Sequence, residues 1–560
     1  MSTNILALFF VCLLGCAQLA RTQSSGSSCA AQGATEWSLE YGIPLLAYEK
    51  AVGSLFKASV GANRLIASST LATPQSTAVV KPNRDTLYAS VWYDLSQQDL
   101  VVDVPQVDNR YFAVSFYTPY GDNYMNLGPV GGNPTGEYLL TLAPSSSVMG
   151  TLSTSSSSDG YMGSVYSPTT FGIILFRVLL RNAASDLSAV NEIIKGYNIT
   201  EVSRNGSAVG PALDMAMFAN LPNSTAQSVM ELNARFGPVS PYNATGGTSP
   251  LTTSNFTQAG ISGAAYTAPK CVNMTSAWTA AQTAVQTFPL ANGSVLNMGN
   301  GWTINNPEYS GLYGTNIVAR AFIAQFGYLM LQPDQAIYPT FSGNLSLMAN
   351  ESYILRFSGR PPLTKLGFWS ATMYNVAGYF VENPINRYSL GDRDNITYAD
   401  GTPVYGPGSD STVDKPFDIL VQAAQPPSNW TSNWLPSPAE PGPFVLLLRW
   451  YVPEPGLSNG SYVYPLVTKG GAITGDIESQ SSPSPAIPSS SAEPTSGSGS
   501  GSGTASASAS AASTADSSSS SASSAAAQRL NPLATLAGSN GRLQRVSMLL
   551  VGIGYLGLLL

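Results

Sequence analysis

A stretch made almost entirely of Ser, Ala, Gly, Pro and Thr runs from Ser481 to Ala527 and limits which part of this 560-residue chain can fold. Such a segment cannot bury enough apolar surface to offset the entropy that it would lose on ordering. We expect a disordered stalk over residues 478–537, either an unmodified flexible linker or a spacer stiffened by O-glycosylation. The folded part is therefore expected to precede the stalk.

The first residues, 1–22, match the pattern of a signal peptide. An apolar run from Ile5 to Cys16 is followed by the small residues Ala17 and Ala20, where a signal peptidase could cut. No Lys or Arg precedes the run, and a buried N-terminal helix is the alternative. We expect export from the cytoplasm.

The last residues, 538–560, match a glycosylphosphatidylinositol-anchor signal. The terminal apolar segment, Val546–Leu560, has only 15 residues, whereas a membrane-spanning helix needs about 20. Small residues and a polar spacer precede it, as in anchor signals. Gly538 and Ser539 are the candidate attachment residues, Ser524–Ala526 is a weaker option, and a short tail-anchor helix is the alternative. The expected location is the cell surface, lipid-anchored to the plasma membrane or transferred to the cell wall.

Four cysteines and a series of glycosylation sequons fit the same route. Removal of the signal peptide leaves Cys29 and Cys271, which predict one disulfide in an oxidising compartment, with two separate thiols as the alternative. The Asn-x-Ser/Thr sequons predict N-glycosylated surface. They lie at Asn198, Asn205, Asn223, Asn243, Asn255, Asn273, Asn292, Asn344, Asn350, Asn395, Asn429 and Asn459.

Charge and the absence of histidine exclude several functions. The formal net charge is −7, and no basic run is present to neutralise phosphates, so nucleic acid is not expected as a partner. Without His, the chain has no Ser-His-Asp triad, Cys-His pair or His-ligated metal centre. We predict no metal site and no cofactor. Any acid or base must be Asp, Glu, Lys, Tyr or Cys.

The remaining 445 or so residues suit two domains with a connecting insert. Alternating or continuous apolar patterns predict strands at Arg110–Tyr117, Tyr138–Leu142, Phe171–Leu180 and Phe444–Val452. Helices are predicted at Trp37–Val60, with a break near Pro44, and at Asp186–Tyr197, Ser276–Thr287 and Asn316–Leu331. The polar stretch Asn205–Lys270 separates the two strand-rich halves.

Two motif blocks carry a family resemblance. The first is Lys81–Tyr88 (KPNRDTLY), and the second contains Phe368–Ser370 (FWS), Asn383–Ser389 (NPINRYS), Gly391–Arg393 (GDR) and Asn433–Pro436 (NWLP). The chain resembles proteins with the paired domains of unknown function numbered 1254 and 1214. This resemblance implies a mainly β fold with two β-sandwich domains, the C-terminal one jelly-roll-like, and a small helical linker region. It implies no reaction.

With this resemblance, the expected layout of the folded part has three regions. An N-terminal β-sandwich occupies residues 35–200, a helical and glycosylated linker insert occupies 201–300, and a jelly-roll-like domain occupies 301–473.

The candidate catalytic residues are Asp85, Arg387 and Asp392. Asp85 could act as an acid or base while Asn83 orients a hydroxyl group, or both could satisfy the backbone of a turn. Arg387 and Arg393 could bind a carboxylate, or an internal pair such as Arg449 with Asp392 could fix the loop. The candidate ligand-binding residues are Asn83, Tyr88, Trp369, Asn386, Tyr388 and Trp434. The rings of Trp369, Tyr388 and Trp434 could stack on a flat ligand or simply fill the core.

Three functions remain open from the sequence. The first is an extracellular module that binds or maintains surface carbohydrate without catalysis. The second is an enzyme that acts on a polar, hydroxyl- or carboxylate-bearing small molecule or glycan, and it requires the candidate catalytic residues to converge across the domain junction. The third is a structural scaffold with an exposed apolar patch.

Overall fold

The computed structural model describes residues 29–57, 60–77, 80–154, 160–182, 185–204, 206–241 and 250–475. The predicted signal peptide, the stalk, the anchor signal with Gly538 and Ser539, and the sequons at Asn205 and Asn243 lie outside these ranges. Within them, every helix is too short or too polar to span a lipid bilayer.

The N-terminal β domain consists of two five-stranded sheets. One sheet has the strand order β1-β2-β9-β4-β5, and the other has the order β10-β3-β6-β8-β7. The strands are β1 (Ile66–Ala67), β2 (Thr86–Asp94), β3 (Asp99–Val104), β4 (Phe112–Tyr117), β5 (Asn123–Leu127), β6 (Gly136–Leu142), β7 (Leu152–Ser153), β8 (Gly163–Ser167), β9 (Phe171–Leu179) and β10 (Asn198–Val202).

The two sheets bury an aliphatic and aromatic core between them. Phe112, Val114 and Phe116 point into this core from β4, as their two-residue spacing predicts. Every residue of β4 is nevertheless buried. The opposite face of this sheet is therefore covered as well, and the elements that cover it define the rest of the fold.

Seven α-helices are described, and six of them form one helical layer. They are α1 (Ala30–Gly42), α2 (Pro44–Lys57), α3 (Leu187–Gly196), α4 (Thr225–Phe236), α5 (Pro250–Gln258), α6 (Met274–Thr287) and α7 (Ile317–Gly327). Short 3₁₀ helices lie at Pro129–Gly131, Ser146–Val148, Met215–Phe218, Phe288–Leu290, Pro307–Tyr309, Ser428–Asn433 and Pro455–Leu457.

Local sequence explains where several of these helices begin. The α1–α2 break falls at Ile43, because Pro44 has no N–H for a continuous helix and suits a first helical position. The side chains of Asn273 and Asn316 accept the N–H groups of Ser276 (3.0 Å) and Ala319 (2.9 Å) and so cap α6 and α7.

The helical layer consists of α1, α2, α4, α5, α6 and α7, with α1 in contact with the other five. Its apolar cluster includes Tyr117 and Ile173 of the N-terminal sheet. The linker insert and the N-terminal helices are thus one structural element, which covers part of the outer face of that sheet.

The C-terminal β domain pairs an eight-stranded sheet with a four-stranded sheet. A small hairpin, β11 (Ile261–Ser262) and β12 (Ala265–Tyr266), precedes it. The strands of the domain are β13 (Val295–Gly299), β14 (Trp302–Asn305), β15 (Ala336–Ile337), β16 (Thr340–Phe341), β17 (Ser346–Leu347), β18 (Glu351–Phe357), β19 (Leu363–Asn375), β20 (Ser389–Gly391), β21 (Phe417–Gln422), β22 (Trp434–Pro436), β23 (Gly442–Pro453) and β24 (Leu466–Gly471).

The larger C-terminal sheet has the order β13-β14-β16-β23-β19-β20, with β15 and β17 also paired to β23. The smaller one has the order β22-β21-β18-β24. Trp302, Trp369 and Trp450 are fully buried in the core between the sheets. The mainly β fold with two sandwiches agrees with the sequence-based prediction.

The predicted disulfide between Cys29 and Cys271 is present, with a Cα–Cα distance of 5.9 Å. Cys29 directly precedes α1, and Cys271 lies just before α6. Cys29 is too distant in sequence from Cys271 for local structure to hold the two together, since 242 positions separate them. The bond therefore joins the start of α1 to the segment before α6 within the helical layer.

The two β domains meet where the outer face of the β2–β9–β4 sheet contacts β19 and β23. Tyr111 and Ala113 from the N-terminal side pack with Phe368 and Tyr451 from the C-terminal side. The rings of Tyr111 and Phe368 lie 5.3 Å apart, and those of Phe368 and Tyr451 are stacked at 4.1 Å. This aromatic trio is the centre of the domain junction.

Candidate functional site

Asp85 links the two β domains. It ends the KPNRD loop just before β2, and only 3% of its surface is exposed. Its Oδ2 accepts a hydrogen bond from the hydroxyl of Ser370 on β19 at 2.7 Å, and its Oδ1 accepts one from Arg393. Ser370 lies 285 positions away in sequence. The carboxylate of Asp85 thus fastens one domain to the other.

Asn83 stabilises the backbone turn that contains Asp85. Its side-chain oxygen accepts the backbone N–H groups of Asp85 and Thr86, as in an Asx turn. Its side-chain amide donates to the hydroxyl of Tyr451. The geometry of Asn83 is that of the turn-stabilising alternative in the sequence analysis.

Asp392 and Arg393 approach Asp85 from the C-terminal domain. They follow β20 in a tight turn, where Asp394 accepts the N–H of Gly391 at 2.7 Å. A Cβ on Gly391 would lie 2.0 Å from the carbonyl oxygen of Trp369. Only glycine allows this close approach of β20 to β19. The approach places the side chains of Asp392 and Arg393 at the junction.

The Asp392–Arg393 pair is only partly enclosed at this point. Arg393 donates to Asp392 Oδ1 at 2.8 Å, and its guanidinium lies 4.8 Å from the centre of the Phe368 ring. The Asp392 and Arg393 side chains are 19% and 15% exposed. Burial raises the pKa of Asp392 to about 6, and the Arg393 charge opposes that shift. Asp392 can therefore gain or lose a proton near neutral pH.

Arg449 and Lys81 occupy the adjacent part of the junction. Arg449 is 3% exposed and donates to Thr372 Oγ1 and to the carbonyl oxygen of Lys81, both at 2.8 Å. The backbone of Lys81 has a φ of +52°. Burial and the nearby Arg449 lower the pKa of Lys81 to about 8. The Arg449–Asp392 clasp considered from the sequence is not formed, because Asp392 pairs with Arg393.

Arg387 and Asp85 have different hydrogen-bond partners. Its Nη1 donates to the carbonyl oxygens of Thr431 (2.7 Å) and Trp434 (2.8 Å). Asn383 binds both the N–H and the C=O of Arg387 through its side chain. Of the three candidate catalytic residues, Asp85 and Asp392 therefore share Arg393, whereas Arg387 holds the NPINRYS loop to the start of β22 and the segment before it.

The remaining ligand-binding candidates are mostly enclosed. Trp369 and Trp434 are buried, and their indole N–H groups donate to Tyr405 Oη and to the carbonyl oxygen of Gln422, each at 2.9 Å. Tyr388 is buried and donates to Asn386 Oδ1. These three rings are thus packed within the protein. Tyr88 is half-buried and faces Arg177, whose Cζ lies 5.5 Å from the ring centre.

A shallow cleft of about 320 Å³ is lined by other residues, among them Arg360, Asp414 and Tyr462. Its charged groups already have partners. Arg360 donates to three backbone carbonyl groups, and Asp414 accepts the backbone N–H of Arg360. The cleft therefore offers less unused charge than the junction. In the described part of the chain, no three Cys, Asp or Glu side chains cluster as metal ligands would.

Sequence reasoning missed Ser370, Lys81 and Arg177 as members of the junction. Arg177 had a visible signal, since it is the single charged residue in the otherwise apolar strand β9. Ser370 and Lys81 belong to the two motif blocks, but their roles depend on which loop of the other domain reaches them.

Two family models match the chain on either side of this junction. Residues 62–201 match a protein of unknown function, DUF1254, and residues 337–455 match a protein of unknown function, DUF1214. The chain combines a DUF1254 domain with a DUF1214 domain. Asp85 and Arg177 belong to the DUF1254 domain, and Ser370, Asp392, Arg393 and Arg449 belong to the DUF1214 domain.

One solved structure has a related fold. The VPA0106 protein from Vibrio parahaemolyticus is 16% identical, covers 78% of this chain and 98% of its own, and superposes with a TM-score of 0.51. A putative uncharacterized protein from Burkholderia cenocepacia is 12% identical over 77% of this chain and 88% of its own, with a TM-score of 0.35. No curated protein matches the chain. The comparison with the Vibrio protein supports the fold of the DUF1254–DUF1214 pair and gives no function.

Proposed function

We propose that this DUF1254–DUF1214 protein binds a polar, hydroxyl-bearing small molecule or glycan fragment at the junction of its two β domains, beside Asp392 and Arg393. The observation that carries the proposal is this half-buried acid–guanidinium pair, which is held between the domains by Asp85. A carboxylate accepts hydrogen bonds from ligand hydroxyls, and a guanidinium donates to ligand oxygens. Ligand sites often lie where domains meet.

The proposal places the site outside the cell, with the stalk and a lipid anchor connecting it to the membrane. The exposed sequons support this part. Ten sequon asparagines lie in the described ranges; nine are exposed and Asn255 is half-buried. The Cys29–Cys271 bond is also typical of an oxidising compartment. The ligand would then be an extracellular carbohydrate or a related small molecule.

One observation favours a second function, acid–base catalysis on the same ligand. The pKa of Asp392 is raised to about 6, and a carboxyl group that titrates near neutral pH can both donate and accept a proton. In this variant of the proposal Asp392 is the acid or base, while Asp85 is a positioning residue because Ser370 and Arg393 occupy its oxygens.

The test is a calorimetric titration of the secreted glycoprotein with neutral and acidic fragments of cell-wall polysaccharide. Asp392→Asn should weaken binding by about tenfold, as expected when a charged hydrogen bond of about 1.5 kcal/mol is lost. Asp418→Asn is the matched control, since the side chain of Asp418 is also 19% exposed and also pairs with an arginine, Arg356. The control should bind as the wild type does.

Two results would contradict the binding proposal. One is the absence of binding by every fragment, and the other is equal affinity of wild type and Asp392→Asn. For the catalytic variant, incubation with a bound fragment followed by mass spectrometry should reveal a product that Asp392→Asn does not form. If the fragment is recovered unchanged, the catalytic variant is contradicted and only the binding function remains.

A further inference from the structure

Arg177 is a buried cation at the domain junction. It lies on β9, directly between Tyr88 of β2 and Ala113 of β4 in the sheet register, and is 4% exposed. Because Tyr111 and Ala113 pack against the C-terminal domain, this face of the sheet points to the junction. The guanidinium of Arg177 is therefore held at the junction by rigid strands on both sides.

No acid neutralises Arg177 within the described ranges, where no Asp or Glu oxygen lies within 4.0 Å of its guanidinium. Its Nη2 donates to the hydroxyl of Tyr117 at 3.3 Å, and its Nε, although buried, has no acceptor. A buried charge and an unpaired buried donor are both costly unless a partner satisfies them. The guanidinium thus lacks a negative charge and at least one acceptor.

Tyrosines surround this cation. Tyr88, Tyr111, Tyr117 and Tyr451 interact electrostatically with Arg177, and Tyr338 does so as well. The hydroxyl of Tyr111 already donates to Gln335 Oε1 at 3.3 Å, and the other phenol groups can donate hydrogen bonds to an anion. Tyr88 and Tyr338 are only half-buried, so solvent reaches this part of the junction. The remaining tyrosines exclude most water, which strengthens the attraction between a guanidinium and an anion.

We propose that Arg177 anchors the carboxylate of an acidic ligand, with tyrosine hydroxyl groups completing the subsite. A carboxylate supplies the single negative charge that Arg177 lacks, and its two oxygens match the planar fork of a guanidinium. This inference rests on the proposed function and specifies its ligand class, namely a hydroxyl-bearing carboxylic acid such as a uronic acid. Arg177 then binds the acid group, and Asp392 with Arg393 binds hydroxyl groups.

The test compares ligands that differ only in the acid group. The secreted glycoprotein is titrated at pH 7.5 with glucuronate and glucose, and with galacturonate and galactose. The wild type should bind each uronate at least about tenfold more tightly than its neutral counterpart. Arg177→Met should abolish this preference, so that each uronate binds no more tightly than its neutral counterpart. Arg177→Lys, which keeps the charge and loses the fork, should retain only part of the preference.

Arg356→Met is the matched control, because Arg356 is an exposed arginine paired with Asp418 on the C-terminal domain. It should keep the full preference for uronates. Thermal melting adds a second readout, since a bound ligand stabilises the folded state. Uronate should raise the Tm of the wild type and of Arg356→Met by more than the neutral sugar does, whereas the two sugars should raise the Tm of Arg177→Met equally.

The outcomes separate this inference from the function on which it rests. Equal binding of uronate and neutral sugar by the wild type, or a preference that persists in Arg177→Met, overturns the carboxylate subsite alone. A preference that depends on Arg177 but not on Asp392 supports the subsite and contradicts the proposed hydroxyl site. Inorganic phosphate that competes as well as glucuronate overturns the assignment to carboxylate. Binding of none of the four sugars overturns both proposals.

Discussion

Two buried arginines at domain contacts, Arg320 and Arg177, differ in whether the protein neutralises them. Arg320 on α7 is 1% exposed, and its Nε donates to Asp122 Oδ2 at 2.8 Å. Asp122 is completely buried in the loop between β4 and β5. Arg177 is almost as buried, yet its nearest polar partner is the neutral hydroxyl of Tyr117.

This difference indicates the role of each arginine. A buried cation with its own carboxylate is complete without any other molecule, and here it attaches the helical layer to the N-terminal sheet. A buried cation without its own carboxylate remains uncompensated, so an anionic ligand can stabilise it. The comparison predicts that removal of Asp122, the partner of Arg320, should destabilise the fold. Removal of Arg177 should instead weaken ligand binding.

The largest expected effect is at the paired site. Asp122→Asn leaves Arg320 buried without its anion, and the free energy of unfolding should fall by about 3–5 kcal/mol. Chemical denaturation of the variant measures this loss. The double variant Asp122→Asn/Arg320→Met should recover most of it, because neither charge remains. A loss below about 1 kcal/mol in the single variant would remove the contrast between the two arginines.

A smaller effect is expected at Asp392, which is an intermediate case because it is paired and partly buried. Its folded pKa of about 6 exceeds the value near 3.9 of an unfolded aspartate. The folded protein therefore binds the proton more tightly, so this contribution to stability is fully present below about pH 4 and is lost as pH rises through 6.

Between pH 4 and pH 7 the lost contribution should be about 1–2 kcal/mol, reduced from the full shift because water reaches the side chain. Denaturation at several pH values should show this slope in the wild type and in Asp418→Asn, but not in Asp392→Asn. An identical slope in Asp392→Asn would mean that another group titrates.

The smallest expected effect is at the unpaired site. Arg177→Met removes a buried charge that has no counter-ion and replaces it with an apolar chain of similar length, so the free energy of unfolding should change by less than about 1 kcal/mol. Equilibrium denaturation without ligand is the measurement. A loss above about 3 kcal/mol would place Arg177 in the same class as Arg320.

Much of the fold could be predicted from local patterns. The apolar strand at Phe171–Leu179, the helix break at Ile43 and the disulfide between the two remaining cysteines agree with the prediction. Each depends on a short signal, namely apolar continuity, a missing N–H or a count of thiols. The order of the motif blocks was enough to identify the domain pair.

The features that local patterns do not reveal depend on contacts distant in sequence. The polar stretch Asn205–Lys270 contains α4 and α5, which pack on α1 and so gain stability that their own sequence does not reveal. On β4, alternation separates the two faces but does not reveal that both are covered. For the same reason Asp85 and Asp392 were recognised individually, whereas the convergence of Asp85, Arg393 and Ser370 follows only from the domain junction.

The Cys29–Cys271 bond has a consequence for how this protein responds to proteolysis. A single cut anywhere between positions 30 and 270 leaves two fragments that stay covalently joined. They would migrate as one band on a gel until a reducing agent is added. Nicked molecules would thus keep both β domains together, and a loss of the N-terminal piece would require reduction as well as cleavage.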